Sequence, residues 1–306
     1  MHPAIELNQV SKIINKKKII NDISLSVFPG EVFGLLGPNG AGKTTTIRMI
    51  VGLMKTTSGS IYINGQNLAS NFEKALSNVG AVVENPELYS FLSGWHNLKH
   101  YQRMAPGVTN ERLAEVIQLV GLNERIHDKV KTYSLGMRQR LGLAQALLHQ
   151  PKVLILDEPT NGLDPAGIRE IRDYLRQLAE KENICVIVSS HLLSEMEKMC
   201  DRIAVIQKGE IIRVEKVADF VQHNKNEWFL EVTPAKKALA VARTITSNVS
   251  AEESGITVKL DKQQIPLLVS KLVAAQISVF MIRPAKQNTL EDQFLSITGG
   301  ENVETV

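Results

Sequence analysis

The chain has 306 residues, 43% of them hydrophobic and 22% charged, and a formal net charge of +3. That length holds one large domain and a small one, each with its own core, and so small a charge excess gives no support for a nucleic-acid partner. Cys185 and Cys200 are too few for a disulfide framework, no signal peptide precedes the first strand, and no apolar run approaches the ~20 residues that span a bilayer, so a reducing cytosol is the expected setting.

Ile5 and Leu7, then Ile23, Leu25 and Val27, alternate with polar residues and predict half-buried strands, with Lys16, Lys17 and Lys18 at a solvated hairpin tip. Pro29-Gly30 turns the chain into Val32 to Leu36, an apolar run that reads as a buried strand. Gly37, Pro38, Asn39, Gly40, Ala41, Gly42, Lys43, Thr44 and Thr45 come next, ahead of a helix carrying Ile47, Ile50 and Val51. Strand, glycine-rich turn and helix match G-x-x-x-x-G-K-[ST] in the context it needs, so this is a nucleotide site. Its glycines let the backbone wrap a phosphate, and successive N–H groups at the helix start point at the anion. Lys43 is placed to neutralise the β- and γ-phosphates, and the Thr44 hydroxyl to bind Mg²⁺.

A strand from Ser60 to Ile63 ends at an Asn64-Gly65 hairpin turn, and Val79 to Val83 is an apolar strand ending at Glu84-Asn85-Pro86. A helical insert spans about 87–135; Leu113, Val116, Ile117 and Val120 share a helix face, Thr109 or Asn110 caps it and Gly121 stops it. The alternation then resumes with a helix from Gly136 to His149 and a buried strand from Val153 to Leu156 ending in Asp157-Glu158. An acid at that strand end can hold Mg²⁺ (Asp157), and the next residue can polarise an attacking water (Glu158). A helix from Ile168 to Ala179, a strand from Ile184 to Ser189, a helix from Leu192 to Cys200 and a hairpin across Lys208-Gly209 complete the first domain, residues 1–219. The pattern predicts a mainly parallel α/β sheet covered on both faces, with ligands at the strand C-terminal ends. A polar linker, 220–226, leads to a small α/β domain, 227–306, with strands at 228–232, 256–260 and 277–282, helices from Ala235 to Thr246 and from Ile265, and a closing helix capped by Thr289 through Leu290, Phe294 and Leu295.

The phosphate loop, Ser134-Leu-Gly136, Leu156-Asp-Glu158, Asn161-Gly-Leu-Asp164 and Ser189-Ser-His191, in that order and spacing, resemble the nucleotide-binding subunit of an ABC transporter. The resemblance covers residues 4 to 217 and implies a P-loop ATPase with ATP and Mg²⁺, working as a head-to-tail homodimer. It implies Glu158 as general base, His191 orienting the γ-phosphate and water, Ser134 and Gly136 reaching the γ-phosphate from the partner copy, and Asp164 at the dimer seam. Leu135 stands where the family usually has glycine, Ile14 falls near the place of the adenine-stacking aromatic, and Glu84 replaces a glutamine. Glu84 can still bind Mg²⁺ but adds a negative charge. Glu84 to Tyr89, Tyr133 to Arg140 and Asn161 to Ala166 look most like bacitracin-type and lantibiotic-type resistance exporters, which implies separate polytopic permease subunits, a place on the inner face of the membrane and a peptide antibiotic or similar amphiphile as cargo. The rival reading is a soluble ABC ATPase that remodels a ribosome, DNA or protein assembly; a single cassette without charge blocks or heptads argues against it, and Lys43, Asp157, Glu158 and His191 argue against an ATP sensor without turnover.

Overall fold

The amphipathic N-terminal segment folds as an antiparallel pair, β1 (Ile5–Ile14) and β2 (Lys17–Val27). Asn15 and Lys16 turn between them with φ of 49° and 65°, the two left-handed residues that match a tight hairpin to strand twist. The computed structural model describes residues 2–191, 193–222, 227–252 and 254–285. Next come β3 (Val32–Leu36), α1 (Lys43–Ile50), β4 (Ser58–Ile63), β5 (Gln66–Asn67), α2 (Phe72–Leu76) and β6 (Val79–Val82). The helical insert supplies α3 (Gly94–Met104) and α4 (Asn110–Leu119), and the Thr109 hydroxyl caps α4 by accepting the Arg112 N–H at 3.2 Å. The remainder runs α5 (Leu135–Leu147), β7 (Val153–Asp157), α6 (Pro165–Glu182), β8 (Cys185–Ser190), α7 (Leu193–Met199), β9 (Arg202–Gln207), β10 (Glu210–Lys216) and α8 (Val217–Gln222).

Two compact units divide at Val217 and Ala218. In the first, six strands lie in the order β10-β9-β3-β8-β7-β6. All neighbours pair in parallel except β10, which runs antiparallel to β9. Every residue of β3, β7 and β8 is buried, as expected of strands covered on both faces. One face carries Phe33, Leu35, Ile155 and Ile187 into a core shared with α1 and with the antiparallel sheet β2-β1-β4-β5. The second unit has the order β12-β13-β11-β14, built from β11 (Glu227–Thr233), α9 (Ala235–Ala242), β12 (Val249–Glu252), β13 (Gly255–Lys259), α10 (Ile265–Ala274) and β14 (Ser278–Pro284). Its core gathers Leu230, Val232, Ala238, Ile256, Val258, Leu268 and Leu272.

Several boundaries differ from the sequence reading. The helix expected at 168–179 begins at Pro165, because the Asp164 carboxylate caps it by accepting the Gly167 N–H at 3.1 Å. The start of the expected linker is helical, since α8 runs to Gln222. Strand β12 had no apolar alternation to announce it, for its last three residues are all exposed. Helix α9 stops at Ala242, short of Thr246. The closing helix expected from Thr289 lies outside the described residues. Both cysteines are buried free thiols, which burial pushes above the ordinary cysteine pKa.

Ile187 is fully buried between β3 and β7, so Ile187→Ala should cost about 2–5 kcal/mol of stability, read as a lower midpoint in chemical denaturation.

Candidate nucleotide site

Strands β3, β7 and β8 end together, and their last residues build the site. Gly37 has no room for a side chain, because a Cβ there would lie 2.3 Å from the carbonyl oxygen of Ile206. Gly42 caps α1 with φ of 114°, a conformation that strains any residue bearing a Cβ. The Thr46 N–H and hydroxyl both donate to the Gly42 carbonyl, each at 2.9 Å, so the first turn of the helix closes on the loop itself. Asn39 and Gly40 are exposed at the loop tip, while Pro38, Thr44 and Thr45 are half-buried and Ala41 is buried. The loop therefore delivers the positive end of a helix to a surface cradle, a ready anion site.

Lys43 is 6% exposed, and its ammonium donates to the Gly37 carbonyl at 2.7 Å. Burial pushes its pKa below the ordinary lysine value, and the carboxylates of Glu158 and Asp157 pull it part of the way back. Glu158 Oε1 lies 3.7 Å from Lys43 Nζ, and Glu158 Oε2 lies 2.9 Å from His191 Nδ1. One carboxylate thus bridges the cation of the loop to the imidazole that follows β8. Glu158 holds φ at 52°, a left-handed backbone that costs a non-glycine residue about 1–3 kcal/mol and collects at functional sites. Asp157 is 3% exposed and accepts the Ser189 hydroxyl at 2.5 Å; that hydroxyl in turn accepts the Glu158 N–H at 3.0 Å.

A second group assembles elsewhere on the same unit. Ser134 caps α5 by accepting the Met137 N–H at 3.2 Å, and Asp164 caps α6. Ser134, Gly136, Asp164 and Arg140 line one cleft of about 500 Å³, and none of residues 37–45, 157, 158 or 191 lines it. The phosphate loop and this cleft are therefore separate places on the unit. A roomier cleft of about 810 Å³ lies at the starts of β3, β7 and β8, among Pro29, Pro151, Lys152 and Ile184, at the opposite end of these strands from the phosphate loop.

The family model described as ABC transporter matches residues 20–161. Over the whole length, the chain is 54% identical to the uncharacterized ABC transporter ATP-binding protein YhcH of Bacillus subtilis (strain 168), covering 98% of this chain and 97% of that one. It is 35% identical to the bacitracin transport ATP-binding protein BcrA of Bacillus licheniformis, covering 99% of this chain and 100% of that one. The chain belongs to the ABC transporter family, as an ATP-binding subunit and ATPase. A solved dimeric structure of a post-hydrolysis state of the ATP-binding cassette MJ0796, bound to ADP and Pi, aligns with a TM-score of 0.63 at 25% identity, covering 70% of this chain and 98% of that one.

The ATP-binding subunit absorbs two of its departures from the family pattern internally. Glu84, just after β6, forms an ion pair with Arg48 of α1, so its charge is balanced where the sequence reading left it bare. With side chains 40% and 60% exposed, that pair is worth about 0–1 kcal/mol, too little to hold Glu84 from a stronger partner. Leu135 lies against Gly162, where an added Cβ would come within 2.6 Å of Leu135 Cδ2. The leucine thus links the start of α5 to the turn before α6. Ile14, at 37% exposure, offers apolar surface at the end of β1. Sequence reasoning gave no role to Arg48 or to the Ser189 hydroxyl. Arg48 sits one turn beyond Thr44 on the same helix, a spacing that puts both on one face and could have drawn attention to it.

Gly37→Ala should weaken nucleotide binding by about ten- to a hundredfold, because its methyl displaces the Ile206 carbonyl or the loop, as titration with a fluorescent ATP analogue would show.

Proposed function

We propose that this ATP-binding subunit powers export of a peptide antibiotic or similar amphiphile, as a homodimer seated on separate polytopic permease subunits at the inner face of the membrane. The arrangement that carries the hydrolytic half is Glu158 held between Lys43 and His191 at the phosphate loop. The transport half is supported by the full-length similarity to a bacitracin transport subunit, which favours export over the remodelling reading. Among the described residues, no helix is long and apolar enough to cross a membrane, so a pathway would come from partner chains.

In this reading Lys43 and free backbone N–H groups of the loop hold the β- and γ-phosphates. Glu158 takes a proton from water as the new oxygen–phosphorus bond forms and the bond from the γ-phosphorus to the bridging oxygen of ADP breaks. His191 holds the Glu158 carboxylate through Nδ1 and would orient the water and γ-phosphate. The donor set fits Mg²⁺: Thr44 offers a hydroxyl, Asp157 a buried carboxylate and Glu84 a second, all hard oxygens. Among the described residues no cluster of three His, Cys, Asp or Glu side chains forms a metal cage, in keeping with an ion held largely by phosphates and water. When bound, Mg²⁺ would neutralise charge on the phosphate oxygens. Ser134 and Gly136 of one copy would face the γ-phosphate held by the other, with Asp164 at the seam. Ile14 would give the adenine apolar contact in place of a stacked ring. The permease would contact the Glu84 loop and the insert, where Tyr89 and Phe91 stand 43% and 65% exposed with their rings 5.8 Å apart.

Glu158→Gln should lower ATP turnover by about 10²–10⁴-fold while retaining ATP and accumulating a dimer on size exclusion; undiminished hydrolysis would remove Glu158 from the role of base. Glu84→Gln, which ends the charge pairing with Arg48, should alter the stimulation of ATPase by permease in the reconstituted complex, whereas identical stimulation would reduce Glu84 to a surface pair.

A further inference from the structure

We infer that Ser189 is a positioning residue for hydrolysis: its one hydroxyl sets both the Mg²⁺-binding carboxylate of Asp157 and the backbone of Glu158. The inference rests on the roles proposed for those two acids.

The geometry is unusually economical. β7 and β8 pair in parallel with Asp157 opposite Ser189, which sets the hydroxyl beside the carboxylate. Ser189 is fully buried and Asp157 nearly so, and the hydroxyl donates to Asp157 Oδ1 at 2.5 Å. A hydroxyl has one proton to give and lone pairs to accept with. Here the proton goes to Asp157, and a lone pair receives the Glu158 N–H at 3.0 Å. Its one donor and one of its lone pairs are therefore directed at consecutive acids of the site.

Each bond does a separate job. A buried carboxylate without a donor would be left with an unsatisfied acceptor and would swing about its terminal torsion. The Ser189 proton satisfies that acceptor from a fixed direction and holds the plane of the carboxylate. The second bond acts on a residue whose φ of 52° is left-handed, a backbone that needs outside support to persist. Tying the Glu158 N–H to β8 holds this bend, and His191 of the same connection fixes the far end of the Glu158 side chain at Oε2. Alanine at 189 would leave the strand pairing intact and remove both bonds together. A merely structural serine would lower stability and nothing else. A positioning serine changes how the site uses its metal ion.

The test uses the full chain with a fluorescent ATP analogue, titrated with Mg²⁺ and also in excess EDTA, beside steady-state ATPase and a thermal melt. Ser189→Ala should raise the half-saturating Mg²⁺ concentration and lower kcat, each by about tenfold, with affinity in EDTA unchanged. Ser189→Thr, which keeps the hydroxyl, should recover most of both. If the alanine variant does not fold, Ser189→Cys, a weak donor of similar size, should show the same Mg²⁺ shift. Asp157→Asn separates the two levels of the argument. If it raises the Mg²⁺ requirement and Ser189→Ala does not, the positioning role is wrong and the metal role of Asp157 stands. If neither variant changes the Mg²⁺ requirement, the assignment of Asp157 fails and takes the inference with it.

Discussion

A strand covered on both faces can carry charge only where it ends. An ionised side chain within β3, β7 or β8 would lose its hydration with no water to replace it, and all three are buried along their whole length. Because these strands are parallel, their C-terminal ends fall on one edge of the sheet. The first polar groups each can show therefore meet there: the loop after β3, Asp157 at the last position of β7 with Glu158 beyond it, and Ser189 and Ser190 at the end of β8 with His191 beyond them. The site follows from the burial of the strands that lead to it.

Crowding at that edge sets its electrostatics. Lys43 is buried enough that its charged form is disfavoured, and Glu158 and Asp157 restore part of what burial takes away. An ammonium in such surroundings attracts an anion more strongly than it would in water, since the local dielectric is lower. Glu158 is engaged at both of its oxygens, by Lys43 on one side and by His191 on the other. A carboxylate held at two points, on a backbone already bent into a rare conformation, has little freedom left to lose when a water molecule is placed beside it.

The central sheet and phosphate loop were legible because apolar runs and glycines mark them directly. Val32 to Leu36 can hardly be anything except a buried strand, and Gly37 and Gly42 sit where the chain allows no side chain. Legibility failed where structure depends on partners distant in sequence. The Ser189 hydroxyl acquires meaning only once β8 lies beside β7, and Arg48 only once α1 comes near the end of β6. Strand β12 escaped for another reason: it is an edge strand with mostly exposed side chains, so pairing with β13 defines it and composition does not. Helix α6 starts earlier than its apolar periodicity, which begins at Ile168, a turn inside the Asp164 cap.

The departures at Leu135 and Glu84 are each accommodated by a neighbour in the same subunit. Ser134 and Asp164 share a cleft that includes none of the phosphate loop, so in the proposed assembly a nucleotide meets both halves only when a second copy turns to face the first. Two-fold symmetry then makes two such composite sites from one pair of surfaces. What matters for that contact is the shape each half presents outward. Leu135 turns its side chain onto Gly162, whose lack of a Cβ leaves the space, and the larger residue serves to brace the start of α5 against the turn before α6. Glu84 places its charge against Arg48, in a pair weak enough to exchange. Each altered residue thus has a neighbour within the same subunit that accommodates it, and the two surfaces can change in composition while keeping the form on which the proposed pairing would depend.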